Sequence, residues 1–466
     1  MTFLKQFTYE INNFRRKYLN TIKPMLKNIK HLCLVFITGI IIVSFGCVHP
    51  KKTKTAETLQ VIPSFKLVST DTFYFKSFVD CNMAEAWIGD TFRIFPGKYG
   101  EDPLWGTAND LKYADGKHAD EAFLTPFEAF KSPKLPVNAK PGEPGLHGAV
   151  WFETVYQYPT DTTGKTLYAV YHNENYPSTL PYDPSTGKGY KNEKWPQGLK
   201  GPGSPAAVCR IGIMKSVNGG HSWEDKGIFI EDYQPRFILK PHNQSNTFPG
   251  GVGDPSAVAS GDYLYLFYGE YSYPADYDSA SYDIEKEWSG QCISMARLQL
   301  KDLDHPEGKA HRWDGKAFTV PHDGIGAPIS SLQIPRSAGG GPASSGTGGY
   351  YWGPSVSWNT YLNCWVMLMG KVTGPSWAGN SIHISFNKNK DLSEGFQSQQ
   401  WTTPELLFER PGYFLWYPSL QPLNTPEDIA NKNTCLRLGQ KARLFIKNIL
   451  PDKSYYMSMH VVEFSK

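Results

Sequence analysis

One short phrase recurs along this chain, and each copy is followed by a run that reads as a β-strand. Asp254-Pro255-Ser256-Ala257-Val258 returns as Gly353-Pro354-Ser355-Val356-Ser357 and again as Tyr417-Pro418-Ser419-Leu420. Behind them lie YLYLFY from Tyr263, CWVMLM from Cys364 and RLFI from Arg443. Aromatic and β-branched runs bounded by Gly, Asp and Asn are strand signals. A further strand type follows in step, starting at Ile211, Ile293, Ile382 and Met457, and alternates large apolar with small or polar residues. That period of two puts the large side chains on one buried face. Two earlier stretches share the grammar: Asn82 to Phe95, whose Gly89-Asp90 turn parallels Gly261-Asp262, and His147 to Glu174, which contains LYAVY from Leu167. Five units result, at 75–135, 145–232, 250–322, 350–409 and 414–464. Repeats of several strands with no helical pattern between them predict an all-β, five-bladed β-propeller over 71–466. A two-sheet sandwich is the alternative, and it leaves the recurring Pro-Ser phrase without a reason.

Composition agrees with short strands and many turns. The 466 residues include 43 Gly and 35 Pro, and 14% are aromatic. So many aromatic rings bury enough surface to exclude a disordered chain. Seven cysteines, with no CxxC or clustered Cys/His spacing, exclude both a small disulfide scaffold and a zinc module. Cys81, Cys209, Cys292, Cys364 and Cys435 are scattered about one per unit and read as small buried hydrophobes.

The first 46 residues read differently. Leu32 to Phe45 is an apolar run of 14 residues behind Lys23, Lys27 and Lys30, short against the roughly 20 of a membrane-spanning helix. A basic region, a short apolar region and a small-residue boundary make a secretory signal. Ser44-Phe45-Gly46-Cys47 resembles a bacterial lipobox, which implies lipidation at Cys47; Met25 offers a second start that leaves a leader of ordinary length. An uncleaved signal anchor is the other reading. In both the body is exported and tethered to a bacterial membrane, the outer one being expected, with 1–46 as signal and 47–70 as tether. The formal charge of +3 belongs to this leader, whose seven Lys/Arg face one Glu. Without it the chain is slightly acidic, and no nucleic-acid partner is expected.

Ser216-Val217-Asn218-Gly219-Gly220-His221-Ser222-Trp223 resembles the Asp-box of sialidase-like propellers, with Asn218 in place of Asp. Its role is structural: a short polar side chain caps a turn, Gly takes a positive φ and Trp packs beneath. The whole body resembles the five-bladed propeller glycosidases of families 43, 32, 68 and 117, and more loosely the D-arabinan-cleaving enzymes of family 183. The resemblance rests on blade count, the Asp-Pro-Ser phrase of the third blade and the blade-opening Pro phrases. It implies a glycoside hydrolase with an acidic base or nucleophile in blade one, an Asp before Pro in blade three and a Glu acid in blade four. Asp80 stands for the first and Asp254 for the second. Where blade four would carry Glu-Gly-Pro or Glu-Cys-Pro, this chain has Trp352-Gly353-Pro354. Either the acid has moved to another strand, or the family differs, or the protein is not catalytic.

Glycoside hydrolysis needs two carboxyl groups across the scissile bond, one protonated and one ionised. Asp254 follows Gly250-Gly251-Val252-Gly253, where glycine lets backbone approach a ligand closely; capping the turn before Pro255 is its alternative role. Glu174 ends a strand beside His172 and Asn173, a setting suited to proton transfer. Glu270 holds the corresponding place in unit three, where repetition can equally mean a structural role. Asp80 opens the first unit; Glu85, an odd number of residues on, faces the other way if the strand is regular. His147 opens unit two as Asp254 opens unit three. His147, His172, Trp352, Trp416 and Tyr417 are the candidate substrate contacts, and the aromatic ones serve equally for packing between blades. No cofactor is expected, with a structural or channel calcium ion left open. The expectation is a monomeric glycosidase acting on a polysaccharide, arabinose- or other furanose-containing polymers included. The alternatives are a non-catalytic glycan-binding lipoprotein on the same fold, a polysaccharide lyase or a sialidase-like enzyme.

Overall fold

The computed structural model describes residues 63–69, 80–97, 111–137, 146, 149–175, 208–231, 251–271, 291–334, 349–373, 377–392, 400–452 and 454–466. The leader, Cys47 and His147 lie outside them. The described strands form five sheets. The first holds β2 (Ala84–Ile88), β3 (Thr91–Phe95) and β4 (Ala114–Gly116), and the second β5 (Ala149–Gln157), β6 (Leu167–Asn175), β7 (Val208–Ser216) and β8 (Glu224–Glu231). The third holds β9 (Val252–Ser260), β10 (Tyr263–Glu270), β11 (Cys292–Gln299), β12 (His311–Trp313) and β13 (Phe318–Pro321). The fourth runs β14 (Tyr350–Asn359), β15 (Cys364–Val372), β16 (Ser381–Asn387) and β17 (Glu405–Glu409). The fifth pairs β18 (Phe414–Gln421), β20 (Lys441–Ile449) and β21 (Tyr455–Ser465) with β1 (Ser64–Ser69) from the other end of the body.

Alternation along each second strand explains how the sheets close into a ring. Even-numbered Leu264, Leu266 and Tyr268 of β10 pack with Val170, Ile211 and Ile213 of blade two. Odd-numbered Tyr265 and Phe267 pack with Met367 and Met369 of blade four. Both faces are covered, so β10 reads as an almost continuous apolar run rather than an alternating one. Equivalent clusters join blades four and five, through Leu368 and Ile446, and blades one and two, through Phe95 and Tyr171. The last joins blades five and one, where Phe445 meets Phe123 at 4.9 Å. Five interfaces between five sheets make a closed five-bladed β-propeller.

The first strand of each blade lines the centre, and in four of them the register slips. Glu153 is skipped on β5, Asp254-Pro255 on β9, Gly353-Pro354 on β14 and Tyr417-Pro418 on β18. The recurring phrase is thus a bulge, a device that bends a strand and re-aims a side chain. Its leading residue has φ 47° at Asp254, 62° at Gly353 and 48° at Tyr417. Neighbouring inner strands are stitched by hydroxyls. Ala257 N donates to Thr154 Oγ1 at 3.0 Å, and Val356 N to Ser256 Oγ at 2.9 Å. The serine of the Pro-Ser phrase therefore ties blade three to blade four.

Two boundaries differ from the sequence reading. Residues 64–69, placed there in a tether, form the edge of blade five, where Phe65 lies opposite Phe464. Pairing with a strand about 400 residues away leaves no local signal. β19 (Arg437–Leu438), from the segment between β18 and β20, adds a parallel rung to β14 of blade four. The Asp-box does what its residues predict. Ser222 N donates to Asn218 Oδ1 at 3.0 Å, Gly219 and Gly220 have φ 72° and 91°, and Trp223 packs edge-on against Phe152 at 4.7 Å.

Candidate active site

Asp254 is the hub of the channel mouth formed by the leading ends of the inner strands. Its Oδ2 accepts from Trp352 Nε1 at 2.9 Å and from the Tyr271 hydroxyl. Its Oδ1 accepts from the Tyr417 hydroxyl at 3.1 Å and faces His172 Nδ1 at 3.6 Å. Burial alone would raise its pKa, but the hydrogen bonds and charge of His172, with Tyr271 and Trp352, outweigh burial and hold it below the usual range. A left-handed backbone outside glycine is uncommon and concentrates at functional sites. Here it turns the carboxylate inward. Gly253 permits the approach, because a Cβ there would lie 2.8 Å from the His172 ring.

Glu153, the bulge residue of blade two, takes the opposite ionisation. Burial pushes its pKa well up, the Asp254 charge adds to this, and the Asn82 hydrogen bond opposes it. Asn82 N donates to Glu153 Oε2 at 2.8 Å, while its side-chain amide reaches the Pro255 and Pro354 carbonyls, both at 3.2 Å. Asn82 thereby joins blades one, two, three and four. Glu153 Oε1 and His172 Nε2 are buried with no hydrogen-bond partner. Glu153, His172 and Asp254 each bring one ligand atom within 4.8 Å of the others, so these three residues could hold a cation. The donor set fits one poorly as it stands, because Asp254 already accepts from Trp352, Tyr271 and Tyr417.

Among the described residues, Glu174 and Asp80 are partly exposed acidic groups of this mouth. Glu174 lies at the end of β6. Its pKa is pushed well up by burial first, then by the charges of Asp80 and Asp254. Asp80 precedes β2 by four residues instead of opening it, and accepts from Lys447 Nζ at 2.6 Å. The side chain of Lys447 is 1% exposed and that of Asp80 18%. The ammonium lies 4.8 Å from the Trp416 ring centre, an arrangement that further holds it in place.

The structure therefore gathers Asp80, Glu174, His172 and Asp254, with Trp352, Trp416 and Tyr417 around them. Glu270 stands apart from this group and is engaged elsewhere. That carboxylate accepts from Arg312 Nη2 and, at 2.9 Å, from Gly326 N, in a buried pair beneath blade three. Its place in the repeat is shared with Glu174, yet Arg312 neutralises it. Trp352 and Tyr417 are buried and point their polar atoms at Asp254. Trp416 is half-buried, its Nε1 donating to Trp377 O at 3.0 Å. Glu85 is buried too, and accepts from Cys435 N at 2.8 Å. The sequence reading missed Glu153, Lys447, Asn82 and Tyr271. A charged residue inside an apolar strand was the available signal for the first two, in AVWFETVYQ and KARLFIKNI.

No known family profile matches the sequence, and no curated protein does. Among solved structures, one similar chain is an α-L-arabinofuranosidase from Lactobacillus brevis, 9% identical, covering 83% of this chain and 92% of that one at a TM-score of 0.45. An exo-β-1,3-galactanase from Phanerochaete chrysosporium is 9% identical over 85% of this chain and 64% of its own, at 0.41. An α-L-arabinofuranosidase from Fusarium graminearum is 11% identical over 85% and 98%, at 0.39.

Proposed function

We propose that this protein is a glycoside hydrolase that acts at the channel mouth around Asp254. The observation that supports it is the split in proton affinity: Asp254 is held ionised while Glu174, in reach of solvent, is held protonated. An ionised carboxylate beside a buried carboxyl group keeps the latter protonated, the state a general acid needs. Glu174 gives its proton to the leaving glycosidic oxygen. Asp80, fixed by Lys447, is the opposing carboxylate that activates water or attacks the anomeric carbon. Asp254 has its lone pairs engaged and little exposure, so it keeps Glu174 protonated rather than touching substrate. On this reading the acid absent from blade four, where Trp352 stands in its position, has moved to blade two. The substrate is a saccharide, and arabinose-containing polymers head the screen.

The test is release of reducing sugar from arabinan, galactan, xylan and agar by the full chain. Glu174→Gln should lose turnover by about 10²–10⁴-fold, the usual range for a proton-transfer group; Asp254→Asn should lose less, by lowering the proton affinity of Glu174, and both should stay folded. Unchanged turnover in both overturns the assignment. We further propose export and anchoring through lipid on Cys47, supported by the leader's charge and apolar run. Palmitate labelling that survives Cys47→Ser would sink that part, and no labelling of the parent chain would leave the uncleaved anchor.

A further inference from the structure

The trailing ends of the inner strands, opposite the candidate site, line an open cavity of about 540 Å³. Small-molecule sites span about 300–1,000 Å³ and are mostly apolar with a few placed polar groups. This cavity has that make-up: Tyr156, Val258 and Trp358 line it together with the charged residues Lys390, Asp391 and Arg437, all three exposed. Val258 lies four residues beyond Asp254 on β9, and Trp358 six beyond Trp352 on β14. At about 3.3 Å per residue those offsets are roughly 13 and 20 Å, so the two sites do not share a ligand-sized volume.

The lining is held by the fold. Trp358 packs edge-on against Trp365 at 4.9 Å, and its backbone N donates to Leu436 O at 2.9 Å, which leaves the indole half-buried at the cavity. The Lys390 carbonyl accepts from Trp365 Nε1 and from Ser260 Oγ, each at 3.3 Å, which fixes that loop to blades three and four. Arg437 is set by its place in β19, on the rung beside Trp358. Among the described residues no ion pair engages the Lys390 or Arg437 side chain. Two exposed cations and one carboxylate leave the lining net positive.

We propose that this cavity is a second saccharide site and that it takes a uronic acid residue. An apolar ring face lies on Trp358, the carboxylate meets the Arg437 fork and the Lys390 ammonium, and ring hydroxyls donate to Asp391. Arginine matches a planar carboxylate with two parallel donors. An aromatic acid would satisfy the cations and the indole but lacks the hydroxyl array that Asp391 can use. The choice of a saccharide rests on the glycosidase reading; the demand for an anion does not.

Calorimetric titration of the full chain with digalacturonate, galactobiose and ferulate tests the site. Digalacturonate should bind at least tenfold more tightly than the other two. Arg437→Gln combined with Lys390→Gln should weaken it at least tenfold and leave polysaccharide hydrolysis unchanged, since neither residue lies near Glu174 or Asp80. No binding, a preference for ferulate or galactobiose, or binding indifferent to the double substitution overturns the proposal. Hydrolysis without digalacturonate binding defeats this site alone. Binding without hydrolysis of any polymer defeats the glycosidase reading and leaves the anion site standing.

Discussion

The Tyr417 hydroxyl donates to Asp254 Oδ1 across 3.1 Å, and the two residues hold the same place in blades five and three. Each leads a Pro-Ser phrase, each has a positive φ and each is skipped by its sheet's register. The same backbone device thus aims an acceptor from one side of the channel and its donor from the other. Gly353 repeats the conformation in blade four without a side chain. Tyr417→Phe should lower turnover by about tenfold, because one of several hydrogen bonds holding Asp254 ionised is lost, worth about 1–1.5 kcal/mol. Steady-state kinetics with a thermal melt checks it.

Glu174 sets the alkaline side of the activity profile. The group must be protonated to act, so activity falls as pH rises through its pKa, which lies well above the roughly 4.3 of a free glutamate. Asp80→Asn removes one of the charges that raise it. Carbon-13 NMR of the Glu174 carboxyl should show titration at lower pH in that variant than in the parent protein.

The buried Glu153 makes stability depend on pH. Its folded pKa is raised, so below the ordinary glutamate value it is neutral in both states and costs nothing. As pH rises from about 4.3 toward the folded value, only the unfolded chain ionises, and stability falls. Glu153→Gln should flatten that decline in denaturant titrations taken between pH 4 and 7.

Lys447→Met strands Asp80 without its ammonium. Breaking a buried pair costs about 3–5 kcal/mol, and the partial exposure of Asp80 places this one near the lower end, at about 3 kcal/mol. Urea unfolding measures it. Methionine at full activity and stability would show that the pair matters to neither.

Glu270→Gln separates the structural carboxylate from the chemical ones. It leaves Arg312, whose side chain is 0% exposed, without a counter-charge, again a loss of about 3–5 kcal/mol. Turnover per folded molecule should stay at the parent value. A selective loss of turnover would return Glu270 to the site.

The sequence by itself determined the blades. Strand runs such as Tyr263–Tyr268, the period-two third strands and the Pro-Ser phrase follow from local propensity and burial on a sheet, and those forces act over a few residues. It also marked Asp254, because a carboxylate between glycines and a proline is locally unusual. Only the tertiary structure decided which acids meet. Glu174 and Glu270 end equivalent strands, yet Arg312, two strands away in the same sheet and 42 residues on, claims the second. Lys447 reaches Asp80 across 367 positions, and β1 reaches β21 from the far end of the body. Ionisation follows burial and neighbouring charge, and ring closure assigns both. So the repeat could be read along the chain, while the roles of its carboxylates depended on the closed channel.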